Sequence, residues 1–360
     1  MPEPLPNPMR FELARRRRGL SMTKLAASVG VDVRSISAFE KGEFTPSPET
    51  LATIARQLRF PESFFFARDA ELPSTRGTSF RALSRMKASE RDAALGAAAL
   101  ALILNDWIDA KFTLPQCSLP DLQGEDPEAA AESARRMWNL GDLPIRNVVH
   151  LLESLGVRVF SLAEDTRAVD AFSFWRGSQA YIFLNTAKSA ERSRFDAAHE
   201  LGHLVLHKHG GPVGQNAEPQ ADAFASAFLM PRTSVLSTIH RTSPGVTDLI
   251  RLKKVWTVSL FALMHRARKL NLLSEWQYRS MCIDSGEYRF QEPEPAERET
   301  SQVLAKVFAA MKKDGITNAD VARELSIDLR DLEGLIFGLI VADSQRRPSS
   351  RTRAQLRLVK

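Results

Sequence analysis

The stretch from Phe195 to His207 constrains this chain more than any other, because it contains His-Glu-x-x-His inside an apolar run. Residues four apart share one face of an α-helix, so a helix here turns His199 and His203 toward one point where both rings can grip a metal ion. Glu200 stands one residue further round, where a carboxylate can reach a water held by that ion. Phe195, Ala198, Leu201, Leu204, Val205 and Leu206 supply packing surface, so the helix belongs in an interior. The competing reading is an ordinary core helix with two coincidental histidines. A suitable third ligand downstream argues against it.

The run His207 to Pro212 ends that helix, and Asn216 looks like the cap of another, which continues to Met230 and stops at Pro231. Its first turn carries Glu218, with Asp222 four residues later on the same face. A carboxylate from Glu218 completes a two-His-one-Glu zinc set and leaves a position open for water. Asp222 can accept a hydrogen bond from a ligand histidine and fix its tautomer, or it is a solvated helix acid. His207 continues the stripe of His199 and His203, as a spare ligand or as a residue supporting the ligands from behind. His209 and His240 carry less signal.

Upstream the hydrophobic period changes. Residues 157–160, 171–175 and 180–184 read as strands, with a hairpin turn over 176–179, so a small antiparallel sheet precedes the metal helix. Two further helices are expected, one opened by Asp126-Pro127-Glu128 and one over 145–155. A long apolar helix is expected over 89–111, and a polar linker over 69–84. The most apolar run, 93–108, contains Asn105 and Asp106 and reads as too short to span a bilayer. The proline-rich start leads into four consecutive arginines with no apolar h-region, so a secretory signal is not expected. Only two cysteines, Cys117 and Cys282, occur, which suits a reducing compartment and argues against a cysteine metal site. A soluble cytoplasmic protein is the expectation. A net charge of +6 and a pI near 9.4 suit an anionic partner.

The first sixty residues read as four short helices: 9–19, one capped by Ser21, one capped by Asp32 and running to about Lys41, and 49–58. Ala26 is small where two helices would cross, Gly30 takes the turn and Val31 plugs it. This stretch resembles the Xre-type helix-turn-helix family over roughly residues 9–68, through Leu25-Ala26, Val29-Gly30-Val31, Ile36-Ser37, Glu40-Lys41-Gly42, Pro48-Glu49-Thr50-Leu51 and Ile54-Ala55. Met22 departs from the glutamine usual in that family. The resemblance implies that the third helix enters the DNA major groove. Val33, Arg34, Ser35, Ser37 and Ala38 would then face outward, with Arg34 as the base-reading candidate. Arg15, Arg16, Arg17, Arg18 and Lys24 would serve phosphates.

The central stretch resembles the ImmA/IrrE family of metallo-endopeptidases over roughly residues 130–270. The matching residues are Ile182-x-Leu184-Asn185, Arg194-Phe195, Ala198 to His203, Leu206-His207, and Glu218-x-x-Ala221-Asp222-x-Phe224-Ala225 ending at Phe228-Leu229-Met230-Pro231. Gln220 and Asp196 depart from the family's usual residues, and Gln220 leaves Glu218 as the implied third ligand. The resemblance implies zinc (or manganese) on His199, His203 and Glu218, and Glu200 as general base, in a gluzincin-like endopeptidase acting on a repressor protein.

Further on, 248–270 reads as one basic helix with Trp276 and Tyr278 beside it, and 292–295 as a linker. Residues 315–335 repeat the N-terminal spacing: Gly315-Ile316-Thr317, Val321-Ala322, Leu325, Ile327-Asp328-Leu329-Arg330 and Leu332 match Gly19-Leu20-Ser21, Leu25-Ala26, Val29, Val31-Asp32-Val33-Arg34 and Ile36. A second helix-turn-helix is therefore expected, followed by a basic tail over 346–360.

The expected fold is α+β and mostly helical. It comprises an all-α helix-turn-helix domain over 1–70, a connector over 71–125, a zincin-like metallopeptidase domain with the small antiparallel sheet over 126–270, and a helical domain over 271–345. The expected function is a stress-response or transcriptional regulator that cuts a partner protein. The alternative is a regulator whose metal domain only senses metal or binds a protein. Expected partners are double-stranded DNA and a protein substrate, with a homodimer as a possible assembly and no membrane.

Overall fold

The computed structural model describes residues 5–73, 87–162, 170–208, 216–239, 244–289 and 291–340. Most of the expected linker (74–86), His209, His240 and the basic tail lie outside these residues.

Four helices open the chain: α1 (Pro8–Arg17), α2 (Met22–Val29), α3 (Val33–Lys41) and α4 (Pro48–Leu58). Asn7, Ser21, Asp32 and Ser47 each cap one through a side-chain oxygen, satisfying donors that a helix start leaves free. Gly30 ends α2 at φ 77°, a left-handed conformation that favours glycine. Leu25, Ala26, Ile36, Phe39, Leu51, Ile54, Phe64 and Phe65 are buried together. Ala38, expected to face outward, is buried with them.

The long helix α5 (Ala88–Lys111) is long and apolar enough to cross a membrane by length and composition, but 72% of that window is buried inside the protein. It is a core helix that touches both the first helical domain and the sheet. At one end it lies so close to α1 that a Cβ on Gly96 would sit 2.6 Å from the Arg17 Cα. At the other, buried Asn105 donates to the Tyr181 hydroxyl (3.1 Å) and accepts from Arg158 Nε (3.1 Å).

The sheet holds β1 (Arg158–Ser161), β2 (Ala171–Arg176) and β3 (Gln179–Leu184) in the order β1-β3-β2. Strands β2 and β3 form the expected antiparallel hairpin. The expectation of a wholly antiparallel sheet is corrected, because β1 runs parallel to β3 and makes the sheet mixed. The two-residue turn at Gly177-Ser178 fixes the hairpin locally. The partner of β1 is instead set by what packs around it, including the last helices of the chain.

Helix α6 (Pro127–Met137) starts on the Asp126 cap, and α7 (Val148–Ser154) on Asn147. The metal helix α8 (Ala190–Leu206) lies across the sheet and is crossed by α9 (Ala217–Leu229). Gly202 permits the close crossing: a Cβ there would meet Phe224 Cδ1 at 3.1 Å and the Ala221 Cα at 3.3 Å. Asn216 makes no side-chain cap bond to α9. After α10 (Arg232–Thr238), the single helix expected over 248–270 is two, α11 (Val246–Trp256) and α12 (Leu260–Lys269), because Thr257 turns the chain at φ 55°. In α13 (Glu275–Asp284), Tyr278 packs against the His265 ring, while Trp276 is 77% exposed and does not pack as expected.

The second helix-turn-helix-like pair is α15 (Asn318–Glu324) and α16 (Leu329–Ile336), preceded by α14 (Gln302–Lys313). In α16, the helix that would read DNA in such a pair, Asp331, Leu332, Leu335 and Ile336 are buried. One apolar core runs from Phe11 to Leu339.

Candidate metal centre and nucleic-acid face

Helices α8 and α9 bring His199, His203 and Glu218 together, with ligand atoms all within 4.8 Å of one another. The two histidine Nε2 atoms are 3.0 Å apart, and Glu218 Oε2 and Oε1 lie 3.5 Å and 3.4 Å from the His199 and His203 Nε2 atoms. Ligands held at roughly 2.0–2.2 Å in a tetrahedron are about 3.3 Å apart. The three separations, two of them to different oxygens of the Glu218 carboxylate, are close to that ligand-to-ligand spacing, and the donor set suits a divalent ion.

The electrostatics favour positive charge at this point. Hydrogen bonds from His199 and His203 hold the Glu218 carboxyl well below the usual carboxylate range. Burial works against charge on His199, but its bonds to Asp222 and Glu218 and the nearby Glu200 outweigh that and push it up to about 10. Asp222 Oδ1 accepts from His199 Nδ1 at 2.8 Å, although its side chain is 62% exposed, so Asp222 both faces solvent and contacts a candidate ligand. His207 Nδ1 lies 3.2 Å from His203 Nδ1, and its Nε2 is 2.9 Å from Gln220 Oε1. Gln220 was not among the sequence candidates; its only signal was its departure from the family pattern.

Glu200 is buried, and its Oε2 accepts a 2.6 Å bond from Ser173 Oγ on β2. Trp175, two residues on and on the same strand face, donates to the Leu204 carbonyl of α8 at 3.3 Å. Sequence reading missed Ser173; the available signal was a hydroxyl between Phe172 and Phe174 on a strand next to the metal helix. A cavity of about 590 Å³ is lined by Phe195, Asp196, Asp222, Phe261 and His265. It reaches Asp222 but none of the three candidate ligands, so it lies behind His199.

On the first helix-turn-helix, Arg34 and Lys24 are exposed, Val33 is 40% exposed, and Ser35 and Ser37 are half-buried. The expectation that Arg15 to Arg18 serve phosphates is corrected for Arg15, Arg17 and Arg18. Arg15 is buried and holds Glu40 of α3 through two bonds of 2.5 and 2.7 Å. Arg17 is buried, with Nη2 2.8 Å from Asp331 Oδ1, and Arg18 Nη2 lies 2.8 Å from Asp331 Oδ2. Arg18 Nε also donates to the Leu58 carbonyl at 2.6 Å. Arg16 is half-buried and paired with Glu12 at 2.7 Å. Arg15, Arg17 and Arg18 thus turn their guanidinium groups toward carboxylates and carbonyls of the protein itself.

Two family models match the chain. Residues 152–268 match a peptidase family described as the IrrE N-terminal-like domain, and residues 12–65 match the helix-turn-helix model. No curated protein matches. The first span holds every residue of the metal cluster, and the second spans α1 to α4.

Proposed function

We propose that this chain, which joins an Xre-like helix-turn-helix domain to an IrrE/ImmA-like peptidase-family domain, is a DNA-binding regulator that hydrolyses a peptide bond in a protein partner, a repressor. The helix-turn-helix domain supports DNA binding, and the peptidase-family domain supports a metal cofactor. The observation that carries the finer reading is the convergence of His199, His203 and Glu218 at edges of 3.0, 3.5 and 3.4 Å. Two imidazoles and one carboxylate are a donor set suited to zinc, with manganese the second choice.

A divalent ion bound there supplies Lewis-acid polarisation of a water and of the scissile carbonyl. Glu200 is the proton carrier: it takes a proton from the attacking water and delivers it to the leaving amine nitrogen. Ser173 holds one oxygen of that carboxylate, so its orientation is set before substrate arrives. Asp222 fixes the His199 ring. Arg34 reads a base from the exposed face of α3, and Lys24 meets phosphate.

Glu200→Gln tests the reading. It keeps the size of the side chain and removes the base, so the protein should retain metal and DNA affinity while cleavage falls about 10²–10⁴-fold. His203→Ala should lose the metal, read by elemental analysis. The substrate is sought by co-expression with genomic neighbours, looking for the protein that disappears with the parent and persists with Glu200→Gln. If Glu200→Gln responds in cells like the parent while His199→Ala does not, the metal is structural or sensory and the peptidase reading is dropped.

A further inference from the structure

Helix α9 supplies Glu218 to the candidate metal centre and also supports both histidines from behind. Asp222 bonds to His199 directly. The support for His203 is indirect, running through His207 to Gln220, two residues after Glu218 on the same helix. We propose that Gln220 and His207 form a neutral hydrogen-bonded relay that fixes the tautomer and ring orientation of His203. This rests on the metal-centre reading and adds two positioning residues to it.

Hydrogen-bond logic fixes the proton positions. His203 offers Nε2 to the metal, so that nitrogen carries no proton, and the ring's one proton sits on Nδ1. Nδ1 faces His207 Nδ1 at 3.2 Å, which must then be bare and accept. A neutral His207 therefore carries its proton on Nε2. Nε2 faces Gln220 Oε1 at 2.9 Å, and an amide oxygen only accepts. Every donor in the chain His203 to His207 to Gln220 meets one acceptor. A protonated His207 would present N–H to His203 Nδ1 and drive the His203 proton onto the metal-facing nitrogen. An amide oxygen at position 220 satisfies the relay without adding charge. The two arms thus differ, with a carboxylate behind His199 and a neutral imidazole–amide pair behind His203.

The test uses the full chain with Zn²⁺ as the probe, its affinity measured by competition against a chromogenic chelator. Gln220→Leu removes the acceptor and should weaken zinc binding about 10–100-fold, the usual cost of losing such a support. Gln220→Glu restores an acceptor and should bind zinc more tightly than Gln220→Leu. Ring-nitrogen NMR of the zinc-loaded parent should find the proton of His207 on Nε2 and that of His203 on Nδ1. Zinc affinity unchanged in Gln220→Leu overturns the relay, as does a His207 protonated at Nδ1 in the parent, which needs no variant. His199→Ala is the control. If it binds zinc like the parent, or the parent binds none, the metal-centre reading itself falls and the relay falls with it.

Discussion

Asp196 sits three residues before His199 with its Oδ2 buried, without a hydrogen-bond partner among the described residues and 3.8 Å from Lys188 Nζ. Burial pushes its pKa up from 3.8 to about 6, with Lys188 and His199 working the other way. A carboxyl whose folded pKa exceeds its unfolded value holds a proton that the unfolded chain releases. Its contribution to stability is fully present below about pH 4 and is lost as pH rises through about 6. For metal-free protein we expect Asp196→Asn to flatten that part of the stability profile, worth on the order of 2–3 kcal/mol by neutral pH. Urea denaturation at intervals between the two pH limits checks this, and parallel profiles for parent and variant would reject it. His199 and His203 were legible because helical spacing puts them on one face, and Glu200 because it stands between them in the motif; Glu218, on another helix, was legible from its place in a first turn and from the family resemblance. Ser173 and Gln220 were not. A strand's alternation names two faces without saying which one meets the metal helix, and an amide two residues past a ligand gains meaning only once His207 points at it.

Among the helices, α3 is held from behind. Arg15 fastens Glu40 to α1, and Ile36, Ala38 and Phe39 enter the core, which leaves Val33 and Arg34 outward. Arg34→Ala should cost roughly 1–3 kcal/mol at the cognate DNA site if its fork reads guanine, with little loss on unrelated DNA. Binding titrations on a selected site and a scrambled one, at two salt concentrations, decide this; an equal loss on both sequences would make Arg34 a phosphate contact. Helix starts were readable, since Ser21, Asp32 and Asp126 announce them with side chains that cap. The break at Thr257 was not, because a non-glycine residue there adopts a left-handed φ of 55° with no glycine or proline to mark it. The parallel pairing of β1 was equally hidden, since a non-local partner leaves no local signature. Consecutive arginines read as a DNA-facing patch because sequence shows charge and not its partner. The carboxylates that Arg15, Arg17 and Arg18 meet are 25 residues away at Glu40 and more than 300 away at Asp331.

Across the whole molecule the first and last helices of the described chain are fastened together. Asp331 of α16 lies between Arg17 and Arg18 of α1, with side-chain exposures of 3% for Asp331 and 4% for Arg17. Arg18 also stacks over Phe60 at 4.6 Å, so the clamp reaches the end of the first helix-turn-helix. Helix α5 runs alongside α1 at backbone distance and on to the sheet, joining the same two regions by a second path. The α15–α16 pair repeats the spacing of a DNA-reading unit, yet α16 presents its buried face to the protein. Through Asp331 the repeat is tied to α1. Breaking a buried ion pair by removing one member leaves the other charge in a low-dielectric setting, at a typical cost of about 3–5 kcal/mol. Asp331→Ala should therefore destabilise the full chain by an amount in that range. Amide exchange should rise first in α1 and α16, because those are the helices the clamp joins. DNA affinity of the folded variant should stay near the parent's, because Val33, Arg34 and Lys24 lie on surfaces the clamp does not touch. Denaturant unfolding with hydrogen exchange read by mass spectrometry measures both effects. An unchanged midpoint and unchanged exchange in α1 and α16 would show that shape complementarity along α5, and not the Arg17–Asp331–Arg18 cluster, holds the two ends of the chain together.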